Sequence, residues 1–177
     1  LGGANQIDAG SDVILAGDNV TFVNTGTFTI AGITAANGGA IDVRSTNGNI
    51  WQSGAMSGGS ITASAHGSLS LNQGNAIGTV GALSAGTELT YTGATAYDLT
   101  DDVSAGTSVT LNGTAGISQT GGTITGQTLS VDADSADLQQ ANAVGRLGTV
   151  TTSGDFLFRN AGDIALWGTV HAGSKLG

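Results

Sequence analysis

The chain has 177 residues with no proline and no cysteine, which excludes a collagen helix, a disulfide scaffold and any thiolate metal site. Only 10% of residues are charged, the net charge is −9, and the cations number four, Arg44, Arg146, Arg159 and Lys175; no surface that tracks the phosphates of nucleic acid or of anionic lipid can be assembled from them. Gly 31 beside 39% hydrophobic residues argues for a narrow ordered core rather than disorder, and no apolar run approaches the roughly 18 residues of a spanning helix.

The opening Leu1-Gly2-Gly3-Ala4 carries no start methionine, basic region or apolar region, so a piece excised from something longer is expected. Short alternating runs follow at Val13-Ile14-Leu15, Val20-Thr21-Phe22, Phe28-Thr29-Ile30 and Ile41-Asp42-Val43. Alternation with period two marks strands that bury one side. Asn37-Gly38 and Asn47-Gly48 read as corners, because both residue types tolerate positive φ. From Ile50 onward the same pattern sharpens into Leu69-Ser70-Leu71, Leu89-Thr90-Tyr91, Val109-Thr110-Leu111, Leu129-Ser130-Val131 and Phe156-Leu157-Phe158. No stretch shows apolar residues at helical spacing. Residues 135–144 come nearest, but they align with the strand-like 68–77, so strand and corner are expected there.

That alignment is one sign of a long internal repeat. Ile50-Trp51-Gln52-Ser53-Gly54 returns as Ile117-Ser118-Gln119-Thr120-Gly121. At the same offset Asn75-Ala76-Ile77-Gly78 returns as Asn142-Ala143-Val144-Gly145, and Val103-Ser104-Ala105-Gly106 as Val170-His171-Ala172-Gly173. Within the unit a hydrophobic–small–small phrase begins at Ile33, Met56, Leu83, Val103, Ile124, Val150 and Val170. A beat of about 20–27 residues holding several short strands is one coil of a parallel β-solenoid. The expectation is an all-β chain with roughly triangular coils, about eight of them, rising about 38 Å at the spacing of paired strands. Residues 1–49 form less regular coils, 50–116 the first long repeat and 117–177 the second, within one continuous domain. Leu111 should face the core and Thr110 the solvent.

Few residues suggest chemistry. Asp98, Asp101 and Asp102 form the densest acidic cluster, which fits a hard-cation site, a pair of catalytic carboxylates or a solvated corner. Asp132 and Asp134 share one side of a strand because Val131 and Ala133 take the other. Two carboxylates so placed suit acid–base work, with Asp137 nearby, but no basic residue or aromatic platform lies close in sequence. His66 and His171 are too few for a metal centre, so exposed decoration is expected. Gly74–Gly78 lacks the helix a nucleotide loop requires; a corner in which Asn75 and Asn142 bond buried backbone is the better reading. Asn19-Val20-Thr21 and Asn112-Gly113-Thr114 match the glycosylation sequon, a short pattern often met by chance. No cofactor motif is present.

Taken together, Ile117-Ser118-Gln119-Thr120-Gly121-Gly122-Thr123-Ile124, Gln140-Ala141-Asn142-Ala143-Val144-Gly145, Gly154-Asp155-Phe156-Leu157-Phe158 and Gly168-Thr169-Val170-His171-Ala172-Gly173 resemble the repeat region of filamentous-haemagglutinin-like exoproteins, the large Gram-negative adhesins exported by two-partner secretion. The resemblance covers 50–177 well and 1–49 loosely. It implies a right-handed parallel β-helix, a secreted or cell-surface location, an outer-membrane transporter as export partner, and a host-cell receptor or glycan as ligand. The family's secretion domain carries Asn-Pro motifs, which a chain without proline cannot match, so this chain would be shaft, stacked between neighbouring coils of a longer parent. A non-enzymatic shaft is therefore expected, with a carbohydrate-active β-helix lyase or hydrolase as the rival. A third reading, an ice- or crystal-binding threonine face, fits poorly with uneven coil lengths.

Overall fold

The computed structural model describes residues 11–177 and is a parallel β-solenoid of about eight turns. Leu1-Gly2-Gly3-Ala4 and the rest of the first ten residues lie outside the described residues. Seventeen strands form one wound sheet, and every strand pairing in it is parallel. The hydrogen bonds of the sheet therefore run between coils, along the rod.

The register turns the sequence pattern into columns. On a first side of the rod Phe28, Ile50, Leu69, Leu89, Val109, Leu129, Leu147 and Leu166 lie one above another. Beside them runs the column Leu71, Tyr91, Leu111, Val131, Val150, Val170. A second side carries Tyr97, Ile117, Ala136, Phe156 and Leu176. A third carries Phe22, Val43, Ala63, Leu83, Val103 and Ile124. Members of these columns are buried until the last coil is reached. Each apolar side chain sits on its counterpart one coil away, so a narrow bore fills with Val, Ile, Leu and Ala. The larger rings pack in edge-on pairs, Phe22 with Phe28 and Tyr91 with Tyr97, each at 5.0 Å between centroids, a geometry the ring quadrupoles favour.

The coils themselves are more even than the phrase intervals. The first coil, from Val13 to its partner Ile30, is short, and the one from Ile33 to Met56 is longer. After Leu69 the coils stay close to one length: the steps through Leu69, Leu89, Val109 and Leu129 are equal, and the step on to Leu147 is slightly shorter. The two longest phrase intervals, Met56 to Leu83 and Ile124 to Val150, are not coils. Leu83 stacks on Ala63, not on Met56, and Val150 stacks on Val131, not on Ile124. In both places the chain completes a coil and then advances one further side.

The same step governs the long repeat. Ile50, Leu69 and Leu89 occupy the first side, whereas their counterparts in the second copy, Ile117, Ala136 and Phe156, occupy the second. Leu83 and Val103 stand on the third side, and their counterparts Val150 and Val170 on the first. The long unit is therefore three coils plus one side. The second copy is raised along the rod and rotated by one side relative to the first. The sheet crosses the join between copies without a break, since Ile117 pairs with both Tyr97 and Ala136.

The early strands form where alternation places them, at Asp12–Gly17, Val20–Asn24, Phe28–Ala35 and Ala40–Ser45. Residues 135–144 fall in the corner before, and the first half of, the strand Ala136–Thr152. One departure from an all-strand reading is a single 3-10 turn, Ala36–Gly38. It arises at the expected Asn37-Gly38 corner, where φ is 53° and 72°. Asn47-Gly48 also turns the chain, but without positive φ. There glycine is needed because a Cβ at Gly48 would lie 2.3 Å from the backbone nitrogen of Thr27.

Leu111 is fully buried and Thr110 lies between Thr90 and Ser130 on the outer surface. Leu111→Asp should cost several kcal/mol, because it places a carboxylate in the bore, whereas Thr110→Asp should stay within about 1 kcal/mol. Urea denaturation of the two variants checks this; equal losses would contradict the inward and outward assignments.

Candidate functional site

The acidic candidates sit on corners and outer surfaces, and most are engaged by the next coil. Asp98 accepts from the Ser118 hydroxyl at 3.1 Å, from the Thr120 amide at 3.1 Å and from the Thr120 hydroxyl at 2.5 Å. Asp102 accepts from the amide and hydroxyl of Thr123 at 2.8 and 3.0 Å. Asp101 accepts from the amide of Asp102 at 2.8 Å. Asp98 and Asp102 therefore tie one coil to the coil above, whereas Asp101 caps only the residue after it. At the join above them Gly122 has φ +60°, and a Cβ there would meet the carbonyl carbon of Asp101 at 2.1 Å, so the corner closes only on glycine.

Asp132 and Asp134 are both exposed, and Val131 and Ala133 are buried beside them. Asp134 accepts from the Ser153 hydroxyl one coil on, and Asp132 stands in register between Asn112 and Thr151. Asp137 is bonded by the Gln139 amide at 2.8 Å. Among the described residues no group of three or more His, Asp or Glu is arranged to hold a metal ion. His66 and His171 are exposed. Of the sequon residues, Asn19 is exposed and its oxygen accepts from the amide of Ala40 at 2.9 Å, while Asn112 is half-buried and donates to the Thr92 hydroxyl at 3.2 Å.

The polar residues that matter most are inside. Asn75 is fully buried; its oxygen accepts from the Met56 amide at 2.9 Å and from Gln52 Nε2 at 2.6 Å, and its nitrogen is shared among the carbonyls of Leu71 and Thr92 and the side-chain oxygen of Gln52. Asn142 repeats the arrangement in the second copy. It accepts from the Ile124 amide at 2.8 Å and from Gln119 Nε2 at 2.9 Å, and donates to Leu138, Arg159 and Gln119. Each amide clamps three successive coils at a corner where backbone groups would otherwise be buried without partners. The sequence indicates Asn75 and Asn142 but not their partners Gln52 and Gln119, although both glutamines recur inside the repeated Ile-x-Gln phrase.

Two further features were not legible as sites. Tyr91 is buried and its hydroxyl has no partner, whereas the Tyr97 hydroxyl donates to the carbonyl of Asn112 at 3.2 Å. Burial pushes both phenols above the ordinary value of 10.0, and for Tyr97 the adjacent Tyr91 adds to the rise. The second feature is on the surface. The guanidinium of Arg146 stacks 4.7 Å from the ring centre of Trp167, and the two line a groove with Gly126, Gln127, Gly145 and Ala165. A signal existed for it: Trp167 follows Leu166, which stacks on Leu147, so alternation turns the indole outward.

Compared with family models, with curated proteins and with solved structures, the chain matches none.

Asn142→Ala removes a buried clamp and strands the Ile124 amide. It should destabilise by about 1–3 kcal/mol, while Asn112→Ala, which loses one partly exposed bond, should cost about 0.5 kcal/mol. Thermal or urea unfolding of both variants gives the comparison, and equal losses would contradict the clamp. A buried hydroxyl without a partner costs about 1–3 kcal/mol, so Tyr91→Phe should leave stability unchanged or raise it. Because the folded state favours the neutral phenols, their contribution is complete below the unfolded value near 10 and is lost as pH rises through the raised folded values. Unfolding followed across the alkaline range should show stability falling above about pH 10, less steeply in Tyr91→Phe.

Proposed function

We propose that the chain is a shaft segment of a large secreted or surface-exposed bacterial exoprotein of the filamentous-haemagglutinin-like kind, serving to give reach and to present a surface. The observation that carries the reading is the unbroken succession of parallel strand pairings from Asp12 to Leu176, which local register shifts bend but do not end. Such a rod converts sequence into length at about 4.8 Å per coil. Each coil contacts chiefly its neighbours, so added coils extend the rod without altering the ones already placed.

The rotated long repeat supports the same reading. A unit of three coils plus one side places equivalent surface groups on successive sides as copies accumulate. A shaft read from any direction by a receptor gains from that arrangement, whereas an enzyme groove needs its residues on one side. The acidic groups fit the non-enzymatic role as well: Asp98, Asp102 and Asp134 bond hydroxyls of the next coil and so act as braces between coils. In this role the partners are adjacent coils of the parent, an outer-membrane transporter during export, and a host receptor or glycan at the end of the path.

Protease treatment and antibody labelling of intact producing cells test the proposal. The segment is expected in the medium or accessible on intact cells. Its recovery only from the cytosolic fraction, protected until lysis, would overturn the reading. Turnover of neutral or acidic glycans that is lost in Asp132→Ala and Asp134→Ala would instead establish the lyase or hydrolase reading.

A further inference from the structure

We propose that the groove where the third side of the rod turns into the first, lined by Gly126, Gln127, Gly145, Arg146, Ala165 and Trp167, binds a sugar bearing a single carboxylate, a uronic or sialic acid residue. The site is independent of the shaft reading, since a rod without it remains a rod.

Three coils build the groove. Thr128 and Arg146 are register partners, as are Arg146 and Ala165, so Arg146 lies at its centre with Gln127 on one side and Trp167 on the other. Gly126 and Gly145 contribute backbone alone to the lining, and the recess measures about 590 Å3. That volume accommodates a small ligand.

The lining has the chemistry of acidic-sugar recognition. Trp167 is exposed, as are Leu166 and Leu176 on the same final coil, and its indole is set against Arg146. Its ring offers a flat platform for the C–H side of a pyranose. Arg146 carries a planar fork of donors that matches a carboxylate in two-point contact. Among the described residues no carboxylate is paired with it; its stacking on Trp167 fixes the fork's position while leaving the N–H edges available. Gln127 donates its amide nitrogen to the carbonyl of Gly106 at 3.2 Å, which orients its oxygen as an acceptor for a sugar hydroxyl. The net charge of −9 narrows the choice further. A polyanion such as a sulfated chain is repelled by the rest of the rod, whereas one carboxylate at one arginine is not.

The chain has two tryptophans, and Trp51 lies on an early coil far along the rod, so Trp51→Phe leaves Trp167 as the sole reporter. In that background, fluorescence is titrated with sialyllactose, with a glucuronate-containing disaccharide and with lactose. The expected result is saturable quenching by one or both acidic sugars, at least about tenfold weaker in Arg146→Gln and unchanged in the control Arg159→Gln, with circular dichroism showing all variants folded. The arm that saturates tells a sialic from a uronic acid. Absence of saturable quenching with both acidic sugars, equal affinity for lactose, or an Arg146→Gln variant that binds as the parent does would each overturn the proposal.

Discussion

The stacking of each coil on the one below is the interaction from which the rest of the molecule follows. In this chain a strand has no hydrogen-bonded partner within its own coil, so its backbone is satisfied only by residues a whole coil away in sequence. That requirement fixes the register. Once Leu89 lies on Leu69 and Val109 on Leu89, every second side chain is committed to the bore and the intervening ones to solvent. A bore this narrow admits no unpaired charge, which is why charged residues are few and occur at corners and outer surfaces.

The corners are where the register is defended. Buried amides at Asn75 and Asn142 each hold three coils, and Gln52 and Gln119 hold the amides in turn. An apolar residue at either place would pack as well but would strand the amides and carbonyls that face inward there. Outside, carboxylates such as Asp98 and Asp102 perform a weaker version of the same task on hydroxyls and amides of the next coil. The one partnerless polar side-chain atom buried among the described residues, the hydroxyl of Tyr91, lies in the bore itself, where the tyrosine ring serves as a large stacked hydrophobe.

Much of this is legible in the sequence, for a physical reason. Period-two alternation locates strands directly, and a solenoid asks nothing else of most positions; hence Val109-Thr110-Leu111 and Leu129-Ser130-Val131 are read with the correct inward phase. Coil length is harder. The phrase at Met56 that recurs at Leu83 looks like one long coil, but the register shows a coil followed by one more side. Chemical similarity marks a corner type, and corners of one type occur on more than one side of the rod. The long repeat conceals the same ambiguity, since its offset preserves local structure while rotating it. The groove at Arg146 and Trp167 is legible only in that alternation turns Trp167 outward; its members, from Gly126 to Trp167, come from three coils and meet only through the stacking.

The most direct test of the stacking is a distance along the rod. Thr92, Asn112, Asp132, Thr151 and His171 form one outward column, so spin labels on cysteines placed at 92 and 171 are separated by four rungs. Pulsed electron–electron double resonance should give a narrow distribution centred near the rise of four rungs, about 19 Å, widened by the label arms. A broad distribution, or a mean well beyond that rise as two antiparallel layers would produce, would contradict the parallel stacking on which every other conclusion depends.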